Sequence, residues 1–375
     1  MAHAIRYHRF GGPEVLEVEE IPTPEPGEGE VLVEVFATGL NPMESLVRRG
    51  AAGGPGDEAL PHGQGRDLAG VVARVGAGAR AFAPGDPVLG WVEDGAQATH
   101  VVVPEGQLLR RPASVPWEVA GSLYTAGTIA WSAVEGLAPG PGDTIVVTAA
   151  AGGVGCLAAQ LARLRGATVI GTSAAARGDF LAQFGIVPLA YGPGLADRVR
   201  AVAEAPVTAF LDFLGGQAHE AIALGVPPSR ILTVLDRTAV DEHGIVAVEP
   251  GDAVALRRIA GLVAAHGVRL PIADVFPADR VQDAYRALER RDAAGKIVLG
   301  FRVVHYDQQR VHEPDLKEQQ VTLDVPTPHR HVDVEESVPP VLGDGRARRR
   351  HREAREARSE RKRDAAPDGA NGRVP

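Results

Sequence analysis

The sequence predicts an α/β protein of two domains followed by a polar tail, and three observations carry that prediction. Residues 1 to about 118 are rich in Val, Gly and Pro, with short apolar runs between turn signals. From about 119 to 270, strand-like and helix-like runs alternate. Within that alternation, "TIVVTAAAGGVGCLAAQLARLRGATVIGTS" (144–173) reads as a strand, a tight glycine turn, a helix and a second strand.

Taken in order, "EVLVEVFATG" and "LAGVVARVG" are short strands set off by "PEPGEGE", "GAGARAFAPGD" and "VEDG". Strands at that spacing predict a β-rich, partly barrel-like domain. Further on, "TIVVTA", "ATVIGTS", "APVTAFLDFLG" and "RILTVLD" read as strands. The runs "GVGCLAAQLARLRG" and "ARGDFLAQFG" read as helices, each stopped by a glycine. Such alternation means βαβ units and a parallel sheet. The segment "DRVQDAYRALERRDAAGKIVLGF" (279–301) reads as an amphipathic helix, a turn and a last strand. On its own pattern it either ends the parallel-sheet domain or returns to the first one.

Residues 304–375 are polar and poor in large apolar groups; "RARRRHREAREARSERKR" (346–363) holds ten Lys/Arg against three Glu. Such a stretch buries too little apolar surface to offset its ordering entropy, so a solvated, disordered tail is expected. A nucleic-acid or partner arm is the alternative reading.

Composition narrows the function classes. The formal charge of −9 argues against a general nucleic-acid binder and favours small-molecule chemistry. The single cysteine, Cys156, can form neither an intrachain disulfide nor a Cys-rich zinc site. Near the start of the α-helix a thiol pKa can fall, but a small packing residue is the expected role. The first twenty residues lack a leader pattern, and no apolar run approaches the roughly 20 residues of a membrane span. A cytoplasmic protein is expected.

The glycine turn carries the chemistry. Ala150, Ala151, Gly152, Gly153, Val154 and Gly155 follow the strand "TIVVT" and open the helix "CLAAQLARL". Gly152 lets backbone approach a pyrophosphate, Gly155 lets helix pack on strand, and the helix N-terminus offers free N–H groups. With both flanks in place this is a dinucleotide site. An NAD site carries Asp or Glu at the end of the second strand. Here Thr172 and Ser173 stand there, and Arg177 follows. Ser173 and Arg177 can bind a 2'-phosphate by a hydroxyl hydrogen bond and a charge-assisted contact, so NADPH is the expected cofactor. An exposed helix-start arginine is the plainer reading of Arg177; Asp179 comes too late to serve as the NAD-type acid.

Several ordered motifs across residues 3–303 resemble the medium-chain dehydrogenase/reductase superfamily, specifically its zinc-free quinone oxidoreductase branch. They are "FGGPEVLEVEEIPTPEPGEGEVLVEVFATGLNPMESLVRRG", "GRDLAGVVARVGAGARAFAPGDPVLG", "TAGTIAW", the glycine turn and "AGKIVLGF". The resemblance implies a GroES-like catalytic domain (1–118 and 271–303) interrupted by a Rossmann domain (119–270). The active site should lie in the cleft between them, in a homodimer. Zinc-dependent relatives place a cysteine where Asn41 stands and a His-Glu pair where Arg66 and Asp67 stand; the four-cysteine lobe is also missing. No metal is therefore expected.

The resemblance also suggests roles. Without a Lewis acid, hydride transfer suits an activated electrophile, a quinone or an α,β-unsaturated carbonyl. Asn41 should lie near the nicotinamide and hydrogen-bond the substrate oxygen, unless it only starts a helix. Thr128 should contact the cofactor, or simply sit inside a helix. Tyr191 should lie beside the 2'-phosphate, or on the open surface. Tyr124 lines the cleft as a proton donor or packs in the core. Asp67 reads as a structural acceptor. Leu46, Leu60 and "GAAGGPGDEALPHGQG" suggest an apolar, adjustable pocket wall. The close variant is an enoyl reductase; a non-catalytic NADPH-binding sensor is the reading from another class.

Overall fold

The computed structural model describes residues 1–51 and 60–301. The tail expected at 304–375 and residues 52–59 of the expected pocket loop lie outside the described residues.

The Val/Gly-rich first part forms β1 (Ala2–Tyr7), β2 (Glu17–Ile21), β3 (Glu30–Gly39), α1 (Pro42–Arg48), β4 (His62–Gly63), β5 (Asp67–Val75), β6 (Pro87–Trp91), β7 (His100–Pro104) and β8 (Leu108–Arg110). Two helices follow, α2 (Trp117–Ala120) and α3 (Leu123–Leu137). The alternating stretch forms β9 (Thr144–Val147), α4 (Gly153–Leu164), β10 (Thr168–Ser173), α5 (Gly178–Ala182), β11 (Val187–Ala190), α6 (Leu195–Val202), β12 (Ala209–Asp212), α7 (Ala218–Ala223), β13 (Ile231–Thr233), α8 (Arg237–His243), β14 (Val246–Ala247) and α9 (Ala253–Ala264). Last come β15 (Ile272–Pro277), α10 (Val281–Glu289) and β16 (Lys296–Gly300).

The alternating stretch makes one parallel sheet in the order β11-β10-β9-β12-β13-β14. Each of its crossovers carries a helix, and β9 and β12 are buried along their whole length. That burial is why both read as unbroken apolar runs rather than alternating ones. The chain reverses its direction of travel between β9 and β12, so their C-terminal ends open a crevice, where ligands of doubly wound sheets bind. Thr148 pins that edge: its Oγ1 donates to Asp212 Oδ1 at 2.7 Å and accepts from the N–H groups of Phe213 and Leu214. The glycine turn leaves β9 at this same point.

The other strands form a three-stranded sheet, β2-β1-β4, and a seven-stranded one, β15-β16-β3-β5-β6-β8 with β7 also on β3. The segment left open by its sequence pattern thus lies on the second of these: β16 runs antiparallel to β3, pairing Val298 with Gly39. α3 joins the two halves. Its small residues Ala126, Gly127, Ala130 and Ala133 let it lie close to α4 and α9, and a Cβ on Gly127 would stand 3.0 Å from Ile259. Among the described residues no helix is long and apolar enough to cross a membrane.

Candidate active site

A cleft of about 1000 Å³ runs between the C-terminal ends of β9 and β12 and the Asn41 end of α1. Ala151, Gly152, Gly153, Val154 and Gly155 form its floor. α4 has Gly152 as its N-cap with no side-chain cap, so the N–H groups of its first turn are left for a ligand. A Cβ on Gly155 would lie 2.4 Å from the carbonyl oxygen of Ala149, which is why helix and strand can approach there. Ala150 fills the place that usually takes a glycine because Gly171 makes room across the sheet: a Cβ on Gly171 would meet the Ala150 methyl at 2.7 Å. The turn therefore fits a dinucleotide pyrophosphate.

Beyond the end of β10, Ser173, Arg177 and Tyr191 line one end of the cleft together with Arg291 and Asp292. Ser173 is buried and donates to the Ala174 carbonyl at 3.1 Å. Arg177 donates through Nε and Nη2 to the Asp292 carbonyl at 3.1 and 2.7 Å, which leaves Nη1 free of those bonds. Burial pushes the Tyr191 phenol up, and the nearby Arg291 charge opposes that shift. Arg291 holds a left-handed backbone, φ 55°, at the end of α10. It comes from a segment more than a hundred residues away, so no local motif could have announced it. Asp179 is exposed on α5 and does not line the cleft.

The opposite end is a buried cluster of charges. Asn41 caps α1: its backbone N–H donates to Glu44 Oε2 at 3.0 Å, while Pro42 presets the first helical turn. Its side-chain amide is fully used. Nδ2 donates to Asp67 Oδ2 at 2.8 Å and Glu44 Oε1 at 3.1 Å, and Oδ1 accepts from Lys296 Nζ at 2.7 Å. Both amide donors thus face carboxylates, and Asn41 also fills the helix-start role that its Asn-Pro sequence offers. The group with donor capacity at this place is Lys296, which the sequence reading passed over inside "AGKIVLGF". Its ammonium donates to Leu40 O at 2.6 Å and to Asn41, lies 3.9 Å from Asp67 Oδ2, and lines the cleft. Desolvation pulls the Lys296 pKa down, opposed by Asp67 and Glu44.

Asp67 itself is fully buried and accepts from the Thr125 N–H at 2.6 Å, an anchor for the start of α3. Glu44 is raised by burial even though Tyr285 donates to it at 2.6 Å. The buried Arg48 lies over the Tyr285 ring at 4.5 Å and pairs with Glu289 at 3.0 Å. Buried cations thus balance buried anions, as charges out of water require.

For two residues the geometry matches the packing alternative. Tyr124 does not face the cleft: its ring stacks on Trp91, centroids 4.3 Å apart and 4° from parallel, and its hydroxyl is desolvated. Thr128 is fully buried and bonds back to Tyr124 O at 2.6 Å within α3. The far wall carries Leu46, Tyr7, His62 and Asp94 instead, whereas Leu60 packs in the core around Tyr7 and Tyr285. Cys156 is fully buried, and burial pushes its thiol up to about 12, the opposite of an activated nucleophile.

A parallel sheet with a glycine turn at its switch point, facing a β-rich domain across a cleft, defines a nicotinamide-dinucleotide dehydrogenase of the medium-chain type. Residues 27–113 match the family described as alcohol dehydrogenase GroES-like domain, and residues 195–299 match zinc-binding dehydrogenase. The chain is 30% identical over 264 residues to the chloroplast envelope quinone oxidoreductase homolog of Arabidopsis thaliana, covering 67% of this chain and 76% of that protein. It is 34% identical over 177 residues to quinone oxidoreductase 1 of Escherichia coli strain K12, covering 46% of this chain and 52% of that protein. For this and most of the other curated relatives, the match spans about half of their length. The quinone oxidoreductase of Coxiella burnetii superposes with a TM-score of 0.73 at 28% identity, over 80% of this chain and 99% of that one. The chain belongs to the quinone oxidoreductase family of medium-chain dehydrogenase/reductases.

The zinc in one matched description does not suit these residues. Where an ion would need thiolate or imidazole donors, the cluster offers an amide and a carboxylate already hydrogen-bonded, with the Lys296 ammonium 2.7 Å from the Asn41 oxygen. His8, Glu17 and Glu19, whose ligand atoms lie within 4.8 Å of one another, are outside the cleft.

Proposed function

We propose that the protein is an NADPH-dependent, zinc-independent reductase of quinones or α,β-unsaturated carbonyl compounds. The observation that carries this reading is the junction of the glycine turn with the charged cluster. Gly295 N–H donates to Ala151 O at 2.8 Å, and Gly153 faces the Lys296 side chain so closely that a Cβ there would lie 2.7 Å from its Cδ. The phosphate-binding backbone and a buried cation therefore belong to one rigid wall.

When bound, the nicotinamide supplies the hydride. The chain's residues do the rest. The N–H groups of the first turn of α4 hold the pyrophosphate, Gly152 leaves room for it, and Gly155 lets the helix pack close to its strand. Ser173, Arg177, Tyr191 and Arg291 hold the 2'-phosphate, since β10 ends without an acid and two guanidinium groups outweigh the one carboxylate, of Asp292, that lines this end. Lys296 presents positive charge where negative charge develops on the acceptor, and Asn41 and Asp67 keep it there. Leu46, Ala126 and Ile129 present apolar surface to the acceptor and exclude water. A metal is not needed, because a quinone or conjugated carbonyl already accepts hydride. The same proposal takes the protein as a cytoplasmic homodimer, which light scattering tests.

The test is oxidation of NADPH and, in parallel, NADH by the purified full chain with a benzoquinone, a simple enone and an enoyl thioester, each with and without chelator. Chelator-insensitive turnover that prefers NADPH is the expected result. Best turnover on the thioester selects the enoyl-reductase variant. Loss of activity with chelator refutes zinc independence, and an NADH preference refutes the 2'-phosphate site.

A further inference from the structure

The far wall of the cleft holds a pair of groups that the hydride reading does not use. His62, in β4, and Asp94, in the loop after β6, both line the cleft, and His62 Nδ1 lies 2.7 Å from Asp94 Oδ2. The same Nδ1 lies 2.8 Å from the Gly63 carbonyl oxygen. A carbonyl can only accept, so Nδ1 must carry the proton. The other ring nitrogen, Nε2, has no hydrogen-bond partner among the described residues. It is therefore the nitrogen that can pass a proton to a ligand or to water.

We propose that His62 is the acid that protonates the reduced acceptor and that Asp94 is its positioning residue. This rests on the reductase reading above. Hydride addition to a quinone or to the β-carbon of a conjugated carbonyl leaves an anion, a hydroquinone monoanion or an enolate. The Nε2–H bond of the imidazolium then breaks, a new O–H or C–H bond forms on the anion, and the electron pair stays on Nε2. Neutral His62 takes its next proton from water at the cleft mouth, where its side chain is 24% exposed and that of Asp94 37% exposed. The sum is acceptor, NADPH and one proton giving reduced acceptor and NADP⁺.

The groups that bear on His62 are consistent with this role. From β1, the Tyr7 ring tilts against it at 5.7 Å, with the hydroxyl 3.5 Å from Nδ1. Burial pushes that phenol up, Asp94 adds to the rise and Arg48 opposes it, so Tyr7 stays neutral. Asp94 is raised by burial to about 6, with His62 and Arg66 opposing the rise. Glu93 also lines this wall and pairs with Arg66 at 2.8 Å.

The test uses the full chain in three measurements. In ¹⁵N-histidine spectra, neutral His62 should show the Nδ1–H tautomer, and Asp94→Asn should raise the share of the Nε2–H tautomer. An Nε2–H tautomer overturns the assignment. In steady-state assays His62→Gln should lower kcat about 100-fold or more, with NADPH affinity within twofold of wild type. Added imidazole should restore turnover to His62→Ala, which rescue of a merely structural residue would not do. Wild-type turnover matched by His62→Gln, or no rescue of folded His62→Ala, overturns the role alone. Wild-type protein that binds NADPH but reduces none of the acceptors defeats the reductase reading, and the acid with it.

Discussion

The two ends of the cleft handle charge in opposite ways. At the glycine turn, the positive field comes from backbone N–H groups and a helix N-terminus, and no charged side chain is built into the loop. At the Asn41 end, Lys296, Asp67 and Glu44 are buried together and held by an exact set of side-chain hydrogen bonds. The first arrangement is local, spanning residues 149–155. The second draws on residues 41–48, 67, 285 and 296. Backbone recognition tolerates changes outside the loop but not a single added methyl inside it. A buried charge cluster tolerates changes of size better than the loss of one partner.

Removing one partner should therefore give the largest effect. Lys296→Met leaves Asn41 Oδ1 and Leu40 O unpaired and Asp67 and Glu44 without their cation, and should cost about 3–5 kcal/mol in denaturant unfolding. Stability within 1 kcal/mol of wild type would mean that water substitutes for the ammonium, and the contrast between the two ends would collapse.

Gly155→Ala comes next. Its methyl would sit 2.4 Å from the Ala149 oxygen, a backbone atom that cannot swing aside. About 1–3 kcal/mol of stability should be lost, and NADPH affinity, read by fluorescence titration, should fall about tenfold or more. Gly153→Ala sharpens the comparison, because its methyl meets the Lys296 chain rather than backbone. It should weaken turnover more than folding, since the displaced group is Lys296.

Smaller still is the effect expected at the Ser173–Arg177 end of the cleft. Arg177→Ala and Arg291→Ala should each weaken NADPH binding by about 1 kcal/mol, roughly fivefold, since partly exposed charged contacts are screened. NADH binding should not change. Equal losses for both cofactors would assign these arginines to the shared adenosine diphosphate instead.

The smallest effect is a pH dependence. The Asp94 carboxyl rises from 3.8 to about 6 on folding. The native state then binds more proton than the unfolded chain between those values. Its contribution to stability is complete below about 3.8 and lost as pH rises through about 6. The melting temperature of wild type should therefore fall relative to Asp94→Asn between pH 4 and pH 7. A difference that does not move with pH would show that Asp94 is not buried enough to feel the cleft.

How much was legible in the sequence follows from the same contrast. The glycine turn could be read because strand, turn and helix are contiguous and each residue type has a local steric reason. Ser173, Arg177 and Tyr191 could be named because they follow successive strand ends of one sheet, whose register carries them to one place. For Tyr124 and Thr128 a site role and a packing role stayed open because α3 shows no marked polar face, and which side turns to the cleft depends on how it packs against β5, α4 and α9. Leu60 was misplaced for a similar reason: it turns into the core of α10 and β16, elements far along the chain.

The sequence by itself determined the class of the protein: a parallel sheet with a dinucleotide turn, a β-rich partner domain, and no zinc-type ligand pattern at residue 41. These depend on periodicity and on residue types at short spacing, which local physics makes explicit. Packing alone settled that Asn41 is a held group and Lys296 its holder, that Arg291 joins Ser173, Arg177 and Tyr191 at one end of the cleft, and that His62 meets Asp94. Each of those contacts joins segments separated by tens to hundreds of residues. Which polar atoms are satisfied and which are left for a ligand is settled only when the sheets have packed.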